Sequence, residues 1–212
     1  MATGLAFKMR LSLRTARPAP RLLARLVLAS TFLALLPNAH TQAQNQLVWR
    51  TNYYSVTGAS LREIHRSMDQ SRPWKAAENL TGLTDWRVDW WFEVKPAEDG
   101  CRCTSFTTTT SITNTLPRWT PPADAPAALA AAWTRFITAL GEHEDGHSRL
   151  ALAAVADLHK RIKELGPAAD CDGLRKRIND LAGRVIEEHR QREKDYDRRT
   201  RHGETQGATL RP

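Results

Sequence analysis

The feature that most constrains the fold is a long segment, residues 124–165, in which large apolar side chains recur every three or four positions. This spacing follows the 3.6-residue turn of an α-helix, so it predicts one long helix or two abutting helices. Gly166 and Pro167 mark its end. The apolar stripe consists of Leu129, Trp133, Phe136, Leu140, Ala151, Leu158 and Ile162. Because such a stripe must be buried, other elements have to pack along the helix.

A β-hairpin is predicted before the long helix. Residues 84–94 alternate along the chain, which puts a row of apolar side chains on one face and mostly polar side chains on the other. Residues 95–100 form a turn, and the threonine-rich residues 101–116 form the partner strand. The apolar row is Trp86, Val88, Trp90, Phe92 and Val94.

The remaining elements predict an α+β fold. Residues 47–56 are aromatic and β-branched, as in a strand, and Ser60 followed by Glu63 has the spacing of a capping box that starts a short helix. A second amphipathic helix runs from Cys171 to about Arg192. We therefore expect a small N-terminal antiparallel sheet with a short helix, followed by two long helices. By composition alone, the polar residues 195–212 would be a disordered end.

The N-terminal residues 1–43 have the parts of an export signal: an arginine-rich start, an apolar run over residues 26–36 and small residues near Ala43. The apolar run is too short for a transmembrane helix. We therefore predict a signal peptide over 1–43 and a single domain over 44–212. The mature protein would be secreted or periplasmic, with no stable membrane insertion after signal cleavage.

The positive charge of the chain comes mostly from this leader and does not indicate a binding surface. The whole chain has 31 Lys+Arg, 23 Asp+Glu and a formal charge of +8. Six basic residues and no acidic ones precede Ala43, so the rest of the chain has 25 basic and 23 acidic residues. A net charge near +2 argues against nucleic acid or another polyanion as the partner.

The cysteines also agree with export, since disulfides persist in oxidising compartments. The chain has three, Cys101, Cys103 and Cys171. Cys171 is expected to pair with Cys101 or with Cys103, and the spacing leaves both pairings open.

The sequence His143-Glu144-Asp145-Gly146-His147 within the long helix matches the H-E-x-x-H pattern of zinc peptidases. Residues four positions apart lie on one face of a helix, so both imidazoles can bind one Zn²⁺ ion and Glu144 can act as the general base. This local pattern does not set the third ligand. The candidates downstream are Glu164, Glu187, Glu188, His189, Asp195, Asp197 and His202.

These motifs together resemble a known family, the bacterial predicted secreted zinc-dependent proteases described as domain of unknown function 922. The resemblance runs through residues 53–58, 84–90, 115–119 and 143–147, both cysteine regions and a tail motif. The tail motif comprises Tyr196, Asp197, Thr200, His202, Gly203, Gln206 and Gly207.

The resemblance implies a zincin-like domain whose polar tail is ordered. It points to His202 as the third zinc ligand, to Tyr196 as a stabiliser of the transition state, and to a Cys101–Cys171 disulfide. The predicted function is zinc-dependent hydrolysis of peptide bonds in proteins or peptides. The alternative is a non-catalytic exported binding module with a structural zinc site, closed by a fourth ligand such as Asp197. The oligomeric state is not predicted.

Overall fold

The computed structural model describes residues 45–74 and 80–211. The predicted signal peptide, residues 1–43, lies outside the described residues. The predicted α+β fold is confirmed, with a three-stranded sheet, a short helix and two long helices. In chain order the elements are β1 (Gln46–Val56), α1 (Leu61–Ser71), β2 (Leu83–Ala97), β3 (Gly100–Trp119), α2 (Ala127–Lys163), α3 (Cys171–Thr200) and a 3₁₀ turn (Glu204–Gln206).

The sheet has the order β1-β3-β2 and is mixed. The predicted hairpin is confirmed, because β2 pairs antiparallel with β3, with an irregularity at Glu93 and Val94. The expectation of an antiparallel sheet is wrong for β1, which runs parallel to β3, with Gln46 opposite Thr109 and Val56 opposite Trp119. A two-residue turn forces β2 and β3 to be antiparallel. β1 is joined to β2 by the longer connection through α1. This length lets β1 lie on the far edge of β3 and run parallel to it.

The single helix α2 divides the hydrophobic core into two clusters. Its N-terminal half, including Trp133 and Phe136, packs with α1 and with the C-terminal ends of β1 and β3. Its C-terminal half, including Leu158, packs with α3 and the hairpin, where Trp86 and Ile112 face each other across β2 and β3. The H-E-x-x-H residues lie between the two clusters.

The helix ends follow the sequence with one difference. Ser60 Oγ accepts a hydrogen bond from the Glu63 amide at 3.4 Å, which confirms the predicted cap, and Glu63 Oε2 in turn accepts a 2.7 Å hydrogen bond from the Ala59 amide. At the start of α3, Asp170 caps the helix through a 2.7 Å hydrogen bond from the Gly173 amide. α3 does not end near Arg192 but continues to Thr200. Packing of this last part against α2 keeps it helical, although its composition is typical of a frayed end.

A disulfide joins the hairpin to the start of α3. It links Cys101 to Cys171, as the family resemblance implied, and Cys103 is a free thiol. Next to it, the Cys101 and Ala168 main chains exchange two hydrogen bonds, of 2.8 and 3.1 Å. The N-terminal end of α3 is therefore held to the sheet by covalent and main-chain links. None of the described helices is long and apolar enough to cross a membrane.

Removing this disulfide should destabilise the fold. The cysteines are 70 residues apart, and closing a loop of this size is worth about 4 kcal/mol in the chain-entropy model. We expect the Cys101→Ser/Cys171→Ser double variant to lose about that much unfolding free energy, measured by urea denaturation. Cys103→Ala, which removes the free thiol, is the control. An equal loss in that control would contradict the pairing.

Candidate metal centre

The middle of α2 carries buried polar groups. His143, Glu144 and His147 have only 3%, 3% and 8% of their surface exposed. The two histidines are four residues apart on one side of the helix, and their ring centroids are 4.9 Å apart. Buried imidazole and carboxylate groups are costly unless they have partners, so neighbouring elements must supply them.

The partner of both histidines is Asp197, in the last two turns of α3. Asp197 Oδ1 lies 3.3 Å from His143 Nε2 and 3.0 Å from His147 Nε2. Within residues 45–74 and 80–211, these three form a group whose potential ligand atoms all lie within 4.8 Å of one another. Two imidazole nitrogens and one carboxylate oxygen are a donor set that suits Zn²⁺ and other divalent transition metals. The residues therefore fit a bound metal ion.

His202, implied as the third ligand by the resemblance, lies beside this group. Its Nδ1 is 3.4 Å from Asp197 Oδ1, and its side chain is 56% exposed. It contacts Asp197 without belonging to the set of mutually close donors, so its role as a ligand stays a prediction. α3 carries four other candidates. Glu187 and Glu188 are exposed, and Glu188 forms an ion pair of 2.7 Å with Arg161. His189 lies 3.3 Å from Asp157, and Asp195 forms an ion pair of 3.1 Å with Arg198.

Glu144, the predicted general base, faces the start of β2. Its Oε2 accepts a 2.6 Å hydrogen bond from Thr84 Oγ1. A Cβ on Gly82 would lie 2.5 Å from Glu144 Oε1, so the carboxylate uses space that this glycine leaves free. Burial raises the pKa of Glu144, an effect larger than the opposing ones of the Thr84 hydrogen bond and the nearby histidines.

The other ionisable groups of the site favour each other's charged forms. Burial lowers the pKa of His147, but its contacts with Asp197 and Glu193 outweigh burial and raise the pKa to about 10. Burial raises the pKa of Asp197, yet hydrogen bonds from His143 and His147 hold it well below its usual range. A metal cation would compete with the His147 proton for the same atoms, because ligands must lose their protons to bind metal.

Tyr196 packs against both histidine rings. It stacks on His143 with centroids 5.0 Å apart and an interplanar angle of 13°, and meets the His147 ring at 86°. Its hydroxyl donates a 3.3 Å hydrogen bond to the main-chain carbonyl of His143. Gly146 makes room for this ring, because a Cβ there would overlap the Tyr196 hydroxyl and lie 2.8 Å from Cε1. The contacts position the histidines, and a catalytic role for Tyr196 stays a prediction.

The second ring nitrogen of each histidine also has a partner. His143 Nδ1 is 2.9 Å from Gln206 Oε1, and His147 Nδ1 is 3.5 Å from Glu193 Oε1. Histidine ligands of metals are usually held by such outer contacts, which fix the ring orientation and leave the other nitrogen for the metal.

Local patterns in the sequence assigned no role to Glu193 or Gly82. Glu193 precedes Asp197 by four residues, so both lie on one face of α3. That spacing would have pointed to Glu193 if the predicted helix had continued past Arg192. Gly82 meets Glu144 only because β2 lies over α2, and local spacing carries no signal for such a contact.

The sequence model of the family described as "Bacterial protein of unknown function (DUF922)" matches residues 51–203. The matched range covers more than two thirds of the chain and includes the three clustered donors, Glu144 and His202. No curated protein and no solved structure matches the chain.

Two glycines of α2 should respond in opposite ways to an added methyl group. Gly146→Ala would push against Tyr196, whereas a Cβ on Gly141 meets nothing within 4 Å. We expect Gly146→Ala to lower the unfolding free energy by about 1–3 kcal/mol, as overpacking does. Gly141→Ala should raise it by up to about 1 kcal/mol, because alanine favours helix. Urea denaturation of both variants measures this, and equal effects would contradict the contact with Tyr196.

Proposed function

The chain belongs to the DUF922 family of bacterial proteins of unknown function, and we propose that it is an exported, zinc-dependent metallopeptidase with a zincin-like site. The observation that carries the proposal is that His143 and His147 of an H-E-x-x-H helix converge with Asp197 at one point. Glu144 of the same motif is buried next to them. These are the residue types that metal-assisted hydrolysis requires.

In this proposal the metal is held by Nε2 of His143, Nε2 of His147 and a carboxylate oxygen of Asp197. A bound zinc ion would supply Lewis acidity and a water of lowered pKa. Three protein ligands suit a catalytic site, because a structural zinc site is closed by four. The outer contacts of both imidazoles, to Gln206 and Glu193, add support, since they leave the Nε2 atoms facing Asp197.

Glu144 would take the proton from the attacking water and give it to the leaving nitrogen. The Thr84 hydroxyl engages Oε2, so Oε1, next to Gly82, is the atom left to carry this proton. Thr84 also fixes the plane of the carboxylate. Such orientation of a base toward its reactant is a main source of catalytic rate.

A protein or peptide substrate is supported by the position of Glu144 next to the edge of the sheet. β2 is an edge strand, and the hydroxyl of its residue Thr84 donates a hydrogen bond to the Glu144 carboxylate. The free edge of a strand can pair with an extended peptide through main-chain hydrogen bonds. A peptide added along β2 would pass close to Glu144. Export is supported by the Cys101–Cys171 disulfide and by the predicted leader.

A second candidate function is a non-catalytic exported binding module with a structural zinc site. The contact between His202 Nδ1 and Asp197 favours it. If His202 were a fourth ligand beside His143, His147 and Asp197, the site would be closed to water.

Metal binding separates these arrangements. We expect about one zinc per wild-type chain, and more than about 100-fold weaker binding in His143→Ala and Asp197→Ala, since each removes a ligand rather than an outer contact. His202→Ala should keep its zinc. Competition with a chromophoric chelator at fixed pH measures the affinities. His159→Ala is the control, because it replaces another histidine of the same helix. Zinc lost from His202→Ala would make His202 a ligand, and no zinc on the wild type would overturn the proposal.

Replacement of the base should separate binding from hydrolysis. Glu144→Gln keeps the shape of the side chain but cannot accept the proton, so we expect zinc retained and casein hydrolysis reduced at least about 100-fold. Turnover by the zinc-loaded proteins, purified in parallel, is the measurement. An active Glu144→Gln variant would remove Glu144 from the mechanism. A zinc-loaded wild type that cleaves no unfolded protein would favour the binding module.

Replacement of Tyr196 by Phe tests the predicted transition-state role. The ring contacts with His143 and His147 remain, and only the hydroxyl is lost. If the hydroxyl stabilises the transition state, kcat should fall about 100-fold with KM unchanged. A kcat within a few-fold of wild type would leave Tyr196 with its positioning contacts alone.

A further inference from the structure

The turn after α3 closes over the outer side of His143. His143 Nδ1 lies 2.9 Å from Gln206 Oε1, although the two residues are 63 positions apart. Gln206 ends the 3₁₀ turn Glu204–Gln206, which lies between Gly203 and Gly207, both with positive φ angles of 84° and 94°. A Cβ on Gly203 would lie 3.0 Å from His143 Cγ, so this turn needs a glycine to approach the imidazole so closely.

The orientation of the Gln206 amide follows from its other partner. Gln206 Nε2 donates a 3.1 Å hydrogen bond to the Tyr196 hydroxyl, which also lies 3.4 Å from Gln206 Oε1. The hydroxyl has one hydrogen, and its shorter acceptor contact, 3.3 Å, is to the His143 carbonyl. With its nitrogen engaged by Tyr196, the amide presents Oε1 to His143. In this orientation Oε1 can only accept, so the 2.9 Å contact requires a hydrogen on Nδ1 of His143.

We infer that Gln206 is a positioning residue that keeps a hydrogen on Nδ1 of His143, so that Nε2, which faces Asp197 and His147, is the nitrogen that would bind the metal. The inference rests on the metal site of the proposed function and deepens it. The C-terminal turn thereby becomes part of the metal centre without supplying a ligand. The Gln206 amide is the outer partner of His143 Nδ1, as the Glu193 carboxylate is the outer partner of His147 Nδ1.

Substitution of Gln206 tests the inference, because its side chain is exposed and its replacement should leave the core intact. Gln206→Leu removes the acceptor, and we expect zinc affinity to fall about 10–100-fold, as for other outer partners of metal-binding histidines. Gln206→Glu keeps an acceptor opposite Nδ1, so affinity should return to the wild-type value or exceed it. Zinc affinity is measured by chelator competition at fixed pH.

A second readout separates positioning from a general effect on structure. In the zinc-loaded wild type, the Nδ1 hydrogen of His143 should appear in ¹H–¹⁵N NMR spectra as a slowly exchanging signal, because it is hydrogen-bonded. It should exchange faster in Gln206→Leu and be protected again in Gln206→Glu. Gln191→Leu is the matched control, since Gln191 is an exposed glutamine of α3 that bonds to Asp195.

The outcomes distinguish this inference from the proposed function. A wild type that binds no zinc overturns both. A wild type that binds zinc, with Gln206→Leu equal to it in affinity and in Nδ1 exchange, overturns the inference and leaves the metal site standing. Equal losses in Gln206→Leu and Gln206→Glu would also overturn it, because the acceptor would then not matter.

Discussion

The alignment of α3 against α2 is the constraint on which the rest of the site depends. The helices run antiparallel, so Asp197 meets His143 and His147 while Glu188 meets Arg161 further along. A shift of one helical turn would move Asp197 by about 5.4 Å and separate it from both imidazoles. The disulfide at Cys171 and the second hydrophobic cluster hold this register.

Glycine residues set how closely the other groups approach the motif. Gly82 leaves space for the Glu144 carboxylate, Gly146 for the Tyr196 ring, and Gly203 brings the C-terminal turn against His143. Each is a point where a side chain would collide with a functional group. The shape of the site therefore depends on these glycines as well as on the candidate ligands. The site lies between two apolar clusters that keep α2 in place.

Much of the fold could be predicted because its signals are local. The alternation in β2, the Ser60 capping box and the long apolar stripe of α2 each reflect one element's own period. Two features could not be predicted this way. The parallel direction of β1 depends on which edge of β3 remains free, and the last part of α3 is helical because Tyr196 and Asp197 pack on α2.

The sequence by itself determined the pair His143 and His147 with Glu144 between them, because a spacing of four residues on a helix places side chains together whatever surrounds them. Only the tertiary structure decided that Asp197, 50 positions after His147, completes the group, and that Thr84 and Gln206 orient Glu144 and His143. Contacts across such separations depend on how whole elements pack, and short-range spacing does not encode that.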